Sequence, residues 1–180
     1  MGNVCFRTDL RRFAEHGQSF PASVLTSQAL WALLQYRVAH QYRDWPLARP
    51  GLFAWRLAIE CLTGISIDSR ATIGPSCYVG HFGGIIIGGD VVIGARCNIS
   101  HGVTIGAHRG GSPTIGNGCG IAPGAIVVGD ITIGDHVMIG ANAVVSRSLP
   151  AGSVVRTAPA QVRAPCENPL PRQKDNVHLP

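Results

Sequence analysis

From residue 65 onward the apolar positions of the chain recur every six residues. Ile67, Ile73 and Val79 open the series, Ile87, Ile93, Ile99 and Ile105 continue it, and Ile115, Ile121, Val127, Ile133, Ile139 and Val145 complete it. Glycine often follows at once, as at Gly74, Gly80, Gly88, Gly94, Gly106, Gly116, Gly134 and Gly140. This period fits neither the helical turn of ~3.6 residues nor the coiled-coil repeat of ~3.5, and β-branched residues fill the rows, so the pattern predicts short strands. Each hexad is one strand and three rows make one coil of a parallel β-helix. Glycine is expected to relieve the corners between rows.

The repeat is interrupted twice. Two extra residues separate Val79 from Ile87, and four separate Ile105 from Ile115, within the loop 106–114. Insertions in a solenoid are extruded as loops. Val79 and Ile99 are three rows apart, so His81 and His101, each two places on, are expected at one corner of successive coils, about 4.8 Å apart along the axis. Pro123 and then Ala141 continue that column. Both imidazoles would face outwards, which explains a histidine set among glycines and aliphatics in Tyr78-Val79-Gly80-His81-Phe82-Gly83-Gly84. The same counting puts Cys77, Cys97 and Cys119 in one interior column, where they read as small apolar fillers. No C-x-x-C pair supports a metal site.

The flanks differ in texture. Ser27 to His40 and Leu52 to Leu62 have helical apolar spacing, the second after Pro50-Gly51. Helices there would cover the unpaired edge of the first coil. The chain therefore divides into a helical N-terminal cap at 1–62, a β-helix at 63–148, and an irregular, partly disordered C-terminal extension at 149–180, with a mobile tail from about Pro165.

Composition agrees with a narrow interior. Hydrophobic residues make up 46% of the 180 but aromatics only 6%, so the core is built from Val, Ile, Ala and Cys. The net charge of +5 suits a phosphate-bearing ligand. Its scattered Lys and Arg, without a basic-aromatic cluster, speak against nucleic acid. No apolar run reaches the ~20 residues that span a bilayer, and six cysteines form no disulfide framework, so a cytoplasmic, reducing setting is expected.

Helical cap, hexapeptide rows, histidine in a two-residue insertion, external loop and a late Pro-Ala together resemble the serine acetyltransferase family of hexapeptide acyltransferases. The matching stretches are Gly80-His81-Phe82-Gly83-Gly84-Ile85-Ile86-Ile87-Gly88, Gly102-Val103-Thr104-Ile105-Gly106 and Ala158-Pro159-Ala160. The resemblance implies a left-handed β-helix, a homotrimer or dimer of trimers, and acetyl-CoA as co-substrate without a metal. It gives His81 the part of general base, which suits an imidazole titrating near pH ~6.5 facing an alcohol that must lose its proton on attacking a thioester. It places Gly106 and Ala107 along the pantetheine arm, with Pro123 and Ala141 bordering the same groove between subunits. The aspartate that orients the base in that family aligns with Ser66. Asp68, two places on and on the same strand face, would supply a carboxylate instead. The carboxylate that precedes the base in the family is Gly80 here, and the family's Arg-His pair before the loop proline is Gly111-Ser112. His108 and Arg109 would partly replace that pair, and His101 would lie beside the acceptor.

Serine and a sugar hydroxyl both remain open as acceptors, since a sugar requires neither the carboxylate nor the Arg-His pair. A zinc hydratase of the γ-carbonic-anhydrase sort, using His81, His101 and His108, and a non-catalytic scaffold are the alternatives.

Overall fold

The computed structural model describes residues 2–16, 27–80 and 83–158. Among the described residues fourteen short strands build three parallel sheets. The first coil contains β1 (Ile65–Ile67), β2 (Thr72–Ile73) and β3 (Tyr78–Val79). The second contains β4 (Ile85–Ile87), β5 (Val92–Ile93) and β6 (Asn98–Ile99), and the third β7 (Thr104–Gly106), β8 (Thr114–Ile115) and β9 (Gly120–Ile121). The fourth contains β10 (Ile126–Val128), β11 (Thr132–Ile133) and β12 (Met138–Ile139), followed by β13 (Val144–Val145) and β14 (Val154–Val155). Sheet A stacks β1-β4-β7-β10-β13, sheet B β2-β5-β8-β11, and sheet C β3-β6-β9-β12-β14. The result is a triangular solenoid, as the hexad period predicts. Leu149 bridges to Ile133 and β14 pairs with β12, so the winding continues past residue 148, where the six-residue spacing in the sequence has already lapsed.

Every row residue predicted to point inward does so: each is no more than 5% exposed. Cys77, Cys97 and Cys119 form a second buried column as expected. The thiols of Cys97 and Cys119 each donate to a carbonyl of the following coil, Gly116 and Gly134, at 3.2 Å. Burial pushes the Cys77 thiol up to about 12.

The glycines after the row residues serve a different purpose from the one expected. A Cβ at Gly74 would lie 2.6 Å from the backbone of Gly94 and Ala95, and one at Gly94, Gly116, Gly134 or Gly140 would likewise crowd the next coil, so these five let successive coils approach, whereas at Gly106 it would meet nothing within 4 Å. The left-handed turns fall elsewhere, in one column running Gly64, Gly84, Gly102, Gly124 and Asn142, with φ between 56° and 71°, and a second running Ser76, Arg96, Gly118, His136 and Gly152, with φ between 58° and 73°.

Among the described residues three helices close one end. Helices α2 (Gln28–Tyr42) and α3 (Arg49–Thr63) cover the two predicted segments, and α1 (Gly2–Glu15) was not foreseen. Pro50 and Gly51 lie within α3 because proline is tolerated in a first turn, where its missing N–H has no helical partner. The first coil has an open lower edge whose backbone groups would be costly to leave unpaired. Side chains of the cap satisfy them. Tyr36 donates to the Ala71 carbonyl (2.8 Å) and accepts from the Ile73 amide (3.0 Å). Arg37 donates to the Ile73 and Gly74 carbonyls. Asp9 accepts from the Cys77 amide (2.9 Å) and Thr8 from that of Ser76 (3.2 Å), while His40 Nδ1 meets the Ser69 carbonyl at 2.9 Å. Among the described residues no helix is long and apolar enough to cross a membrane.

Candidate active site

Sheet C meets sheet A at a corner that starts at Gly80 and ends at Gly84 in the first coil. His81 and Phe82 lie outside the described residues. Their neighbours are fixed. The Gly80 amide donates to the Ile99 carbonyl at 2.8 Å, and the Gly102 amide donates to the Gly83 carbonyl at 3.1 Å. The next coils repeat the second bond, from Gly124 to His101 (3.0 Å) and from Asn142 to Pro123 (2.9 Å). The column is therefore Gly83, His101, Pro123 and Ala141. Counting forward from Val79 puts residue 81 beneath His101, whereas among the described residues Gly83 occupies that place. His101, Pro123 and Ala141 share the corner as expected, and His101 is exposed.

The last turn of α1 flanks this corner. His16 stacks on Tyr78 with ring centroids 4.0 Å apart, and Phe13 packs on the same ring at 4.8 Å. Arg12 donates to Asn98 (3.3 Å) and to Glu15 (2.8 Å). A Cβ on Gly80 would come within 3.1 Å of the Tyr78 ring. His16 was assigned nothing from sequence, because its partner is a residue over sixty positions away.

Ser66 and Asp68 share a face, as strand alternation required, and Arg56 of α3 proves it by reaching both. Its Nη2 donates to Ser66 Oγ (3.3 Å) and its Nη1 to Asp68 Oδ2 (3.5 Å). Ser66 gives its own proton to Glu60 Oε1 at 2.6 Å, and the same oxygen accepts from Arg56 Nε at 2.6 Å. Asp68 Oδ1 accepts from the Arg70 amide (2.9 Å) and side chain (3.4 Å). Partial burial alone would raise both carboxyls. For Glu60 the Ser66 and Arg56 hydrogen bonds outweigh it, and for Asp68 the Arg70 amide and the charges of Arg56 and Arg70 do, so both stand below the usual range. Arg56 and Glu60 escaped sequence reading because an Arg-Glu pair at i,i+4 is ordinary on a helix surface. Asp68 itself sits at the A–B corner, one strand away from the corner carrying Gly80 and Gly83.

The 106–114 loop also leaves from the A–B corner. Gly106 ends β7, Ala107 is exposed, and His108 to Gly111 form a tight hairpin closed by His108 N–H to Gly111 O at 2.9 Å. Arg109 and Gly110 both take positive φ, 52° and 89°, the signature of a type I′ turn. His108 and Arg109 line a hollow of about 330 Å³ with Asp130 and Ser146. His101 and His108 thus sit at different corners with β7 between them, whereas the zinc alternative needs them together. Gly106 and Ala107 are likewise on another corner from Pro123 and Ala141. No group of three or more metal-ligating side chains occurs among the described residues. Pro159 and Ala160 lie outside them, with the rest of the tail.

Residues 112–147 match the family described as bacterial transferase hexapeptide (six repeats). A serine acetyltransferase of Mycobacterium tuberculosis is 35% identical over 169 residues, covering 88% of this chain and 72% of that protein. The putative colanic acid biosynthesis acetyltransferase WcaB of Escherichia coli K12 is 38% identical over 143 residues, covering 73% and 88%. The crystal structure of serine acetyltransferase isoform 3 from Entamoeba histolytica, in complex with cysteine, superposes with a TM-score of 0.77 at 27% identity. That likeness covers 91% of this chain, which spans 60% of the length of the Entamoeba chain.

Proposed function

The chain belongs to the serine acetyltransferase family of hexapeptide-repeat acyltransferases and is an acyltransferase; from that premise we propose that it moves acetyl from acetyl-CoA directly to a carbohydrate hydroxyl, with His81 as general base. His81 takes the hydroxyl proton as the oxygen attacks the thioester carbonyl. The imidazolium then returns a proton to the departing CoA sulfur, so base and acid are one group. Backbone amides of the glycine-rich corner are suited to receive the oxyanion.

Ser66 orients the imidazole in this reading. Its hydroxyl proton is committed to Glu60, so its free lone pair can accept the imidazole N–H and leave the other nitrogen to act as base. Asp68 is less suited, since both its oxygens are engaged by Arg56 and Arg70. Glu60 would thus supply, through a serine, the carboxylate that relatives carry in the strand.

Gly80 carries the choice of acceptor. It offers no side chain to hold an ammonium group, and the Tyr78 ring occupies the space a side chain would need. Gly111 and Ser112 offer no cation to a carboxylate, although His108 and Arg109 stand nearby. The relatives include a serine acetyltransferase and a putative colanic acid biosynthesis acetyltransferase.

Acetyl-CoA lies, in this proposal, in a groove between protomers of a trimer, with Gly106 and Ala107 contributed by one and Pro123 and Ala141 by the next. Exposed apolar residues on the outer sheet faces, Ile86, Met138 and Val144, support such contacts.

The test is thiol release from acetyl-CoA with serine, homoserine and a panel of sugars. Turnover with a sugar and not with serine is expected, and His81→Ala should lower kcat by roughly 10²–10⁴. A smaller loss removes His81 from the base role. Faster turnover with serine overturns the acceptor assignment.

A further inference from the structure

A cleft of about 540 Å³ opens between α2, α3 and the first A–B turn, remote from the corner that carries Gly80. Arg43, Arg49, Arg56 and Arg70 line it, against a single lining carboxylate, Asp44. Leu52 and Phe53 form an apolar wall, with Phe53 69% exposed.

Each of three guanidinium groups is engaged through its Nε. Arg49 Nε donates to the Arg43 carbonyl (3.3 Å), Arg43 Nε meets Asp44 (3.5 Å), and Arg70 Nε meets Asp68 (3.4 Å). Among the described residues the η nitrogens of Arg43, Arg49 and Arg70 donate to no protein group, and all three side chains line the cleft, with the Arg70 guanidinium lying over Gly89. One carboxylate is satisfied by one bidentate guanidinium. Several arginines converging beside an aromatic face suit a more highly charged group with an apolar portion, and the volume falls within the ~300–1,000 Å³ of small-molecule sites.

We propose that this cleft is a second ligand site, separate from the coenzyme groove, that binds a diphosphate-bearing small molecule. The phosphates lie on Arg43, Arg49 and Arg70, and the apolar portion lies against Leu52 and Phe53. Arg56, on the cleft wall, bonds Ser66, Glu60 and Asp68 through its three nitrogens and is left out of the ligand contacts.

Calorimetric titration with pyrophosphate, at saturating CoA so that the coenzyme's own diphosphate site is filled, tests the site. Binding is expected to weaken with added salt and to fall at least about tenfold in R43Q/R49Q, with R49K intermediate. Arg49 is exposed and Arg43 half-buried, and unchanged thermal unfolding of the variants verifies their fold. A parallel arm measures co-sedimentation with phosphatidylglycerol vesicles against phosphatidylcholine vesicles. Pyrophosphate binding lost in the variant, without vesicle binding, supports the soluble ligand. Vesicle binding lost in the variant without pyrophosphate binding reassigns the cleft to lipid phosphate and overturns the proposal as stated. No binding, or binding indifferent to R43Q/R49Q, overturns it altogether. None of these readouts depends on acetyl transfer, so failure here leaves the proposed reaction untouched.

Discussion

Arg37 of α2 holds Asp9 of α1 through Nε to Oδ2 at 3.0 Å and Nη2 to Oδ1 at 3.3 Å, and both side chains are buried beneath the first coil. The pair is also the means by which two helices grip the solenoid's edge, since each partner bonds coil backbone as well. Asp9→Ala would leave a buried guanidinium without its counter-ion and is expected to cost about 3–5 kcal/mol. Urea unfolding measures it. A loss under about 1 kcal/mol would mean that water replaces the carboxylate.

Coil spacing makes opposite demands on two glycines. Gly74→Ala drives a methyl to 2.6 Å from the backbone of the next coil and should destabilise by about 1–3 kcal/mol. Gly51, in the first turns of α3 with nothing within 4 Å of an added Cβ, should gain about 0.5–1 kcal/mol on becoming alanine. Thermal melts of the two variants should shift in opposite directions.

Acid should loosen α3 from the first coil. Glu60 and Asp68 titrate below the usual carboxylate range, so they hold protons less readily folded than unfolded. Their contribution is complete above the unfolded values of about 4 and is lost as pH falls through the lower folded values. Glu60→Gln should flatten the melting-temperature profile between pH ~3 and ~5. An unchanged slope would show that the Arg56 network does not stabilise the folded state.

The two proposed halves of the coenzyme groove stand on different corners of one protomer. Activity should therefore require assembly, and Val144→Asp on an outer sheet face should yield smaller particles in sedimentation together with lost turnover. Full activity from a monomer would return the groove to a single protomer.

The coil architecture was legible because a hexad repeat leaves one way to bury every sixth residue, and Ile67 through Val145 obey it. The register at the insertion was not, because counting from Val79 and counting back from Ile85 give different residues opposite His101, and glycines on both sides remove any side-chain signal. Helix α1 was missed for a related reason. Its apolar stripe of Phe6, Leu10 and Phe13 is short and set among arginines, and its stability comes from partners far along the chain: Arg37, Cys77 and Tyr78. Ser66 and Asp68 were visible as substitutions in a familiar strand, whereas Glu60, which completes the patch, lies on a helix whose docking no local pattern announces.

The described helices seal the lower edge of the stack, and each later coil finds its template in the one beneath. Such a molecule has a seed and a growing tip. Damage near Asp9 or Tyr36 should therefore unravel the winding from its foundation, while damage at Val155 should fray only the last turn.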